Sequence, residues 1–458
     1  MIFSSLLFLF RFIPVFFLIY YLVPKRLKNV VLLIGSIIFY AWGEPKFLIL
    51  IIISIVVNYV AGILIDHFKN KGSTLARLFF LLAIIYDLST LFVFKYIDFF
   101  ITNINSVFNA DIKLMELTLP LGISFYTFQI MSYVIDLYKG RIKVCKSVIV
   151  LGTYLSMFPQ LIAGPIVVYS DVAEKLEKRE IKLADIDDGI KTFIIGLGSK
   201  VLIANNVGML WDDIALIGYE NIKAGCAWLG VLAFSLQIFF DFNGYSLMAI
   251  GLGKMLGFDF PKNFDYPYIS KSLTEFWRRW HITLSSWFRE YVYIPLGGNR
   301  KGSLRTYVNL FIVWFLTGFW HGAGWNFILW GMFFFVMLSV EKLYLKKLLD
   351  EHAIWAHIYS VIFIGLSWMI FAITDIRLLA VYFTKLLAFG WDIQALYLVR
   401  NYGVILIVGI VLCTPVFRSF YEKIKNKTAG VVILGVILVV SVAYLTDATY
   451  NPFLYFRF

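Results

Sequence analysis

Apolar residues come in long blocks along this chain, and polar ones gather at the joints between them. Residues 5–23, 45–65, 306–320, 325–340, 354–373 and 430–445 are the plainest blocks. A helix needs about 20 apolar residues to cross the hydrocarbon of a bilayer. By that measure the pattern predicts an all-α polytopic membrane protein with about 11 transmembrane or re-entrant helices. Residues 5–23 have no basic stretch ahead of them and no small-residue cleavage site after them, so they read as an uncleaved first span.

Three blocks are broken by proline and glycine: LPLGISFYTF at 119–128, FPQLIAGPI at 158–166 and WHGAGWN at 320–326. Irregular backbone at membrane depth survives only when it is buried in protein or lines a cavity. The breaks therefore predict a core with a polar tunnel. Residues 272–291 carry another pattern. Leu273, Phe276, Trp277, Trp280, Leu284, Trp287, Phe288 and Tyr291 recur at helical spacing, with Glu275, Arg278, Arg279, Ser286 and Arg289 largely off that face. This predicts one amphipathic helix lying in the membrane interface.

Composition sharpens the class. Of the 458 residues 60% are hydrophobic and 15% charged, more apolar surface than a soluble fold of this size can hide. The net charge of +12 would suit a nucleic-acid binder, but the Lys and Arg sit in short loops at block ends. That is the membrane pattern, in which such loops face the cytoplasm. Lys25–Lys28, Lys69–Arg77, Lys139–Lys146 and Lys175–Lys182 all read as cytoplasmic, which puts the amino terminus outside. FPQLIAGPI, lying between the last two clusters, must then enter and leave on one side. Cys145, Cys226 and Cys413 are odd in number and far apart, so neither disulfides nor a zinc site is indicated. No GxSxG, Walker or HExxH motif is present.

Two of the five histidines stand out. His321 lies in a broken apolar block beside Gly318, Gly322 and Gly324, where an imidazole is costly unless it is paired or lines a wet cavity. Its alternatives are a proton-transfer site or a helix-to-helix hydrogen bond. His281 shares the inward side of the 272–291 pattern, or simply anchors at the headgroups. The following PLGGNRKG turn offers Arg300 and Lys301 to phosphates, with Arg278 and Arg279 nearby. Asp241, in LQIFFDFNGYS, either orients an imidazole or caps a helix beginning near Gly244. Thr306 to His321 is a rise of roughly 22 Å along a helix, which predicts that the two imidazoles do not share one site.

EFWRRWHITLSSWFREYVYIPLGG followed by WHGAGWNFILWG closely resembles the membrane-bound O-acyltransferase (MBOAT) family, and within it the branch that acetylates surface polysaccharides such as alginate. MIFSSLLFLFRFIPVFFLIYYLVP, NVVLLIGSIIFYAWGEP, LPLGISFYTFQIMSYVIDLYKG, FPQLIAGPI, DFNGYSLMAIGLGKMLGF and NPFLYFRF extend the likeness over essentially the whole chain. The resemblance implies a single membrane domain over 1–458: N-terminal helices over about 1–110, a core over about 115–375 and C-terminal helices over about 376–458, arranged as a ring around a central tunnel. It maps the family's histidine onto His321 and a second, more variable position onto His281. Asp241, Asn243, Trp320, Gly322, Gly324, Asn326, Gln160 and Pro165 are expected at the substrate tunnel, and Arg278, Arg279, Arg300 and Lys301 at the donor.

The implied reaction passes an acyl group, most often acetyl, from a cytoplasmic donor such as acetyl-CoA to a cell-surface polysaccharide. It involves an extracytoplasmic partner of the SGNH hydrolase type, in a bacterial cytoplasmic (inner) membrane. No bound cofactor, metal or nucleic acid is implied. The chain departs from the family pattern at Asn243, Leu247, Val168 and Ala372. D-alanyl or other acyl transfer to teichoic acid or peptidoglycan stays open. So does a non-enzymatic role in polymer or lipid export.

Overall fold

Lipid offers a backbone no hydrogen-bond partner, so each apolar block must close its bonds internally, as a helix. A computed structural model describes residues 1–388, 390, 393–447 and 454, and among these there are helices and no strand. The terminal NPFLYFRF lies outside the described residues apart from Leu454. Eight described helices are long and apolar enough to cross a bilayer: Pro45–Asn70, Leu75–Lys95, Leu183–Ile217, Ala224–Leu256, Trp325–Glu351, Ala353–Ala372, Ile393–Leu412 and Thr428–Asp447. Other blocks form shorter or more polar helices, among them Phe8–Leu22 and Ser303–His321. Val148–Ser156 and Phe158–Leu161 have nine and four residues, each too short to span, as a re-entrant FPQLIAGPI requires.

Contacts divide the chain into two units, Met1–Phe193 with Leu247–Pro261, and Ile194–Ser246 with Lys262–Phe458. Within the first, two of the broken blocks meet. Gly122 (φ 74°) packs so close that a Cβ there would overlap the carbonyl oxygen of Leu161. Tyr154 joins the same region, donating its hydroxyl to Gln129 O at 3.1 Å and to Val167 O at 3.0 Å. Gln160 donates to Tyr154 O at 2.6 Å, and both it and Pro165 are buried.

The second unit holds His281 and His321. The helix Ala224–Leu256 is the most enclosed of the eight, with 83% of its apolar window buried against 17% for Leu75–Lys95. It is a core element, and Leu75–Lys95 is a lipid-facing one. Residues 272–291 do not form the single interfacial helix that their periodicity predicts. They fold as two short helices, Leu273–Arg279 and Ile282–Phe288, followed by a π-helical turn, Arg289–Tyr293. The break falls at His281, whose φ of 42° is left-handed. Bulky aromatics at 276, 277, 280, 287 and 288 are all buried, so the pattern reports a protein core and not a lipid surface.

Candidate active site

The WHGAGWN block makes a helix end. Ser303–His321 stops at His321, Gly322 and Gly324 are extended, and Trp325–Val340 starts the return. Two glycines set how closely the two helices cross. A Cβ on Gly318 would overlap Phe327 O and lie 3.2 Å from Gly331 Cα; one on Gly331 would overlap Trp314 O and lie 3.2 Å from Gly318 Cα. Backbone therefore rests on backbone, and His321 sits about one turn beyond that crossing. Gly322 faces the Phe327 ring, which leaves no room for a side chain.

His321 is buried among rings. Its centroid lies 5.0 Å from Trp320, 5.0 Å from Trp330 and 5.3 Å from Phe371. Asn326 donates to Phe371 O at 3.0 Å and Ile370 O at 3.4 Å, tying the returning helix to the end of Ala353–Ala372. Its Oδ1 and the indole N–H of Trp330 and of Trp277 are buried with no hydrogen-bond partner among the described residues.

His281 joins this cluster of rings, against the separation expected from helix length. It is fully buried, its ring 4.7 Å from Phe242 and 6.2 Å from Trp320, so both imidazoles lie near one indole. The chain doubles back at PLGG, where Gly297 (φ 108°) and Gly298 (φ 58°) reverse it and Asn309 Nδ2 holds Gly298 O at 2.8 Å. From His281 to Gly297 the helices advance about 20 Å, which the climb to His321 then cancels. Burial pushes the His281 imidazole down to about 3, so the ring is neutral at physiological pH.

Asp241 plays neither role suggested by its place in the sequence. It lies inside the continuous helix Ala224–Leu256, so it caps nothing, and its Oδ1 pairs with Lys200 Nζ at 2.6 Å. Lys200 also donates to Asn205 Oδ1 at 2.8 Å, and Asp241 Oδ2 accepts from Leu454 N at 2.8 Å. Asn243 is half-buried on the same helix. Of the four expected donor-binding cations, Arg279 is held by Glu275 at 2.9 Å and by Asp265 at 3.8 Å. Arg278, Arg300 and Lys301 are exposed. Gln160 and Pro165 belong to the other unit. Sequence reading missed Lys200, Asn263, Thr283 and Phe242. A lysine amid FIIGLGSKVLIANN is as costly in an apolar run as an aspartate, and that signal was present for Lys200.

The sequence model of the membrane-bound O-acyltransferase family matches residues 147–383. A probable alginate O-acetylase of Pseudomonas putida is 36% identical, with all of both chains covered. A peptidoglycan O-acetyltransferase of Helicobacter pylori is 37% identical over 81% of this chain and 77% of its own. A teichoic acid D-alanyltransferase of Streptococcus thermophilus is 28% identical over 50% of this chain and 58% of its own. The chain belongs to the membrane-bound O-acyltransferase family. It is thus a multi-pass membrane enzyme that transfers acyl groups.

Proposed function

We propose that this acyltransferase moves an acetyl group from a cytoplasmic thioester donor, acetyl-CoA or an equivalent, to hydroxyls of a cell-surface polysaccharide. The single observation that carries the reading is that His281 and His321, both buried, lie near the same Trp320 indole. The chemistry is compact. A hydroxyl oxygen attacks the thioester carbonyl as an imidazole takes the hydroxyl proton; the C–O bond forms, the C–S bond breaks, and the proton leaves with the thiolate. His321 is assigned that proton. The buried N–H groups of Trp277 and Trp330 offer hydrogen bonds to the carbonyl oxygen as it gains charge. Arg278, Arg300 and Lys301, being exposed, remain the cations for donor phosphates, whereas Arg279 serves the Glu275–Asp265 network.

Acetyl is preferred over D-alanyl because the O-acetylating relatives align over most or all of the chain, the D-alanylating one over half. Delivery through an extracytoplasmic SGNH-hydrolase-like partner, in a bacterial inner membrane, completes the proposal. Deleting the gene should remove ester-bound acetate from the surface polysaccharide, measured after mild alkaline release, and the wild-type gene should restore it. Loss of ester-bound D-alanine with acetate unchanged would reverse the choice of acyl group. Unchanged levels of both would reject the reading.

A further inference from the structure

The amide of Asn263 decides which nitrogen of His281 carries the proton. Asn263 Oδ1 lies 3.4 Å from the backbone N of Thr283, a group that only donates, and 2.9 Å from Thr283 Oγ1. Its Nδ2 donates to Ser246 Oγ at 3.1 Å. A flipped amide would set its NH2 against the Thr283 N–H, so this orientation is fixed by donors and acceptors together. The same Oδ1 lies 3.0 Å from His281 Nδ1. An oxygen already serving as acceptor requires Nδ1 to donate. In a neutral imidazole the lone pair then belongs to Nε2. That Nε2 is buried with no hydrogen-bond partner among the described residues.

The backbone supports the same arrangement. Ile282 N donates to Asn263 O and Asp265 N to Arg279 O, both at 2.9 Å, so residues 263–265 are bonded alongside the left-handed turn at His281. A left-handed backbone at a non-glycine residue, beside a buried ring nitrogen with no partner among the described residues, marks a position held for use. We infer that Asn263 is a positioning residue that locks His281 as the Nδ1–H tautomer, leaving Nε2 to accept a hydrogen bond from an O–H or N–H of the substrate. This rests on the acyl-transfer reading above and adds to it a second nitrogen facing the substrate.

Other groups around the ring do not set its charge. Phe242, Phe264 and Trp320 face it, with Thr283 beside Asn263. Asp265 is engaged by Lys262 and Arg279, and Asp241 by Lys200. His321 lies 5.0 Å from the Trp320 indole, centroid to centroid.

The test is Asn263→Asp in the full-length protein in membrane vesicles, with labelled acetyl-CoA as probe and transfer to alkali-labile ester as readout. A carboxylate at Nδ1 favours the imidazolium, whose Nε2 donates and no longer accepts. An adjacent carboxylate raises an imidazole by about 1–3 pH units, so the acidic limb of the transfer profile should move upward by about that much while transfer at neutral and alkaline pH is kept. On that limb, a lower kcat with unchanged donor KM assigns Nε2 to the acceptor hydroxyl; a raised donor KM assigns it to an N–H of the donor. Asn263→Leu should lose transfer at every pH. Because Leu risks misfolding, the near-isosteric Asp variant decides, provided it elutes as a single species in detergent. A wild-type pH profile for Asn263→Asp, with His321→Ala inactive, overturns this inference alone. Activity in His321→Ala would instead overturn the assignment of the transferred proton to His321 in the acyl-transfer reading on which it rests.

Discussion

His321→Ala should leave a protein that inserts, purifies and elutes as wild type while transferring almost no acetyl. The imidazole sits at a helix end whose position is set by the Gly318–Gly331 crossing and by Asn326, none of which needs the ring. Removing a general base lowers a rate by about 10²–10⁴-fold. Ester acetate on the surface polymer, with variant protein quantified in the same membranes, is the measurement. Near-normal acetate would move the proton-transfer role elsewhere in the site. The loss should be independent of donor concentration, since what is removed acts on the reacting atoms and not on donor binding.

Gly318→Val should have the opposite profile, destroying the fold before the chemistry. Three added carbons would occupy the space of Phe327 O and the Gly331 backbone. Overpacking a core usually costs about 1–3 kcal/mol when side chains can shift. Here the obstacle is backbone on the partner helix, so the cost should reach the top of that range, about 3 kcal/mol or more. Size-exclusion profiles of detergent extracts should show aggregate in place of the monodisperse peak. Gly435→Ala is the control, because nothing lies within 4 Å of a Cβ there. An intact Gly318→Val peak would mean that the two helices separate freely.

Helix content, membrane character and the helix end at WHGAGWN were legible because they are local: apolar block length and a cluster of glycines depend on a few neighbouring residues. The place of His281 was not. Its flanking aromatics keep helical spacing through the break, and spacing is the same whether a stripe meets lipid or the rings of Phe242 and Phe264. Counting the climb from Thr306 to His321 without the equal descent from His281 to Gly297 then put the two imidazoles apart. Asp241 was misjudged for a related reason: its partner, Lys200, lies 41 residues earlier in the chain, and no local pattern links them. Asn263 stood in a polar loop, FPKNFDYP, that resembles any other connection until Thr283 and His281 are brought to its side chain.

A histidine held at φ 42° stores about 1–3 kcal/mol in its backbone, sustained by the packing of Phe242, Phe264 and Trp320 around it. Loosen that packing and the turn relaxes, rotating the imidazole off Asn263 while every long helix stays intact. On heating, transfer activity should therefore be lost at a lower temperature than helix content followed by circular dichroism. Glycine would relieve the strain best, and glycine has no imidazole. With His281 serving the reaction as proposed, stability and chemistry pull residue 281 in opposite directions.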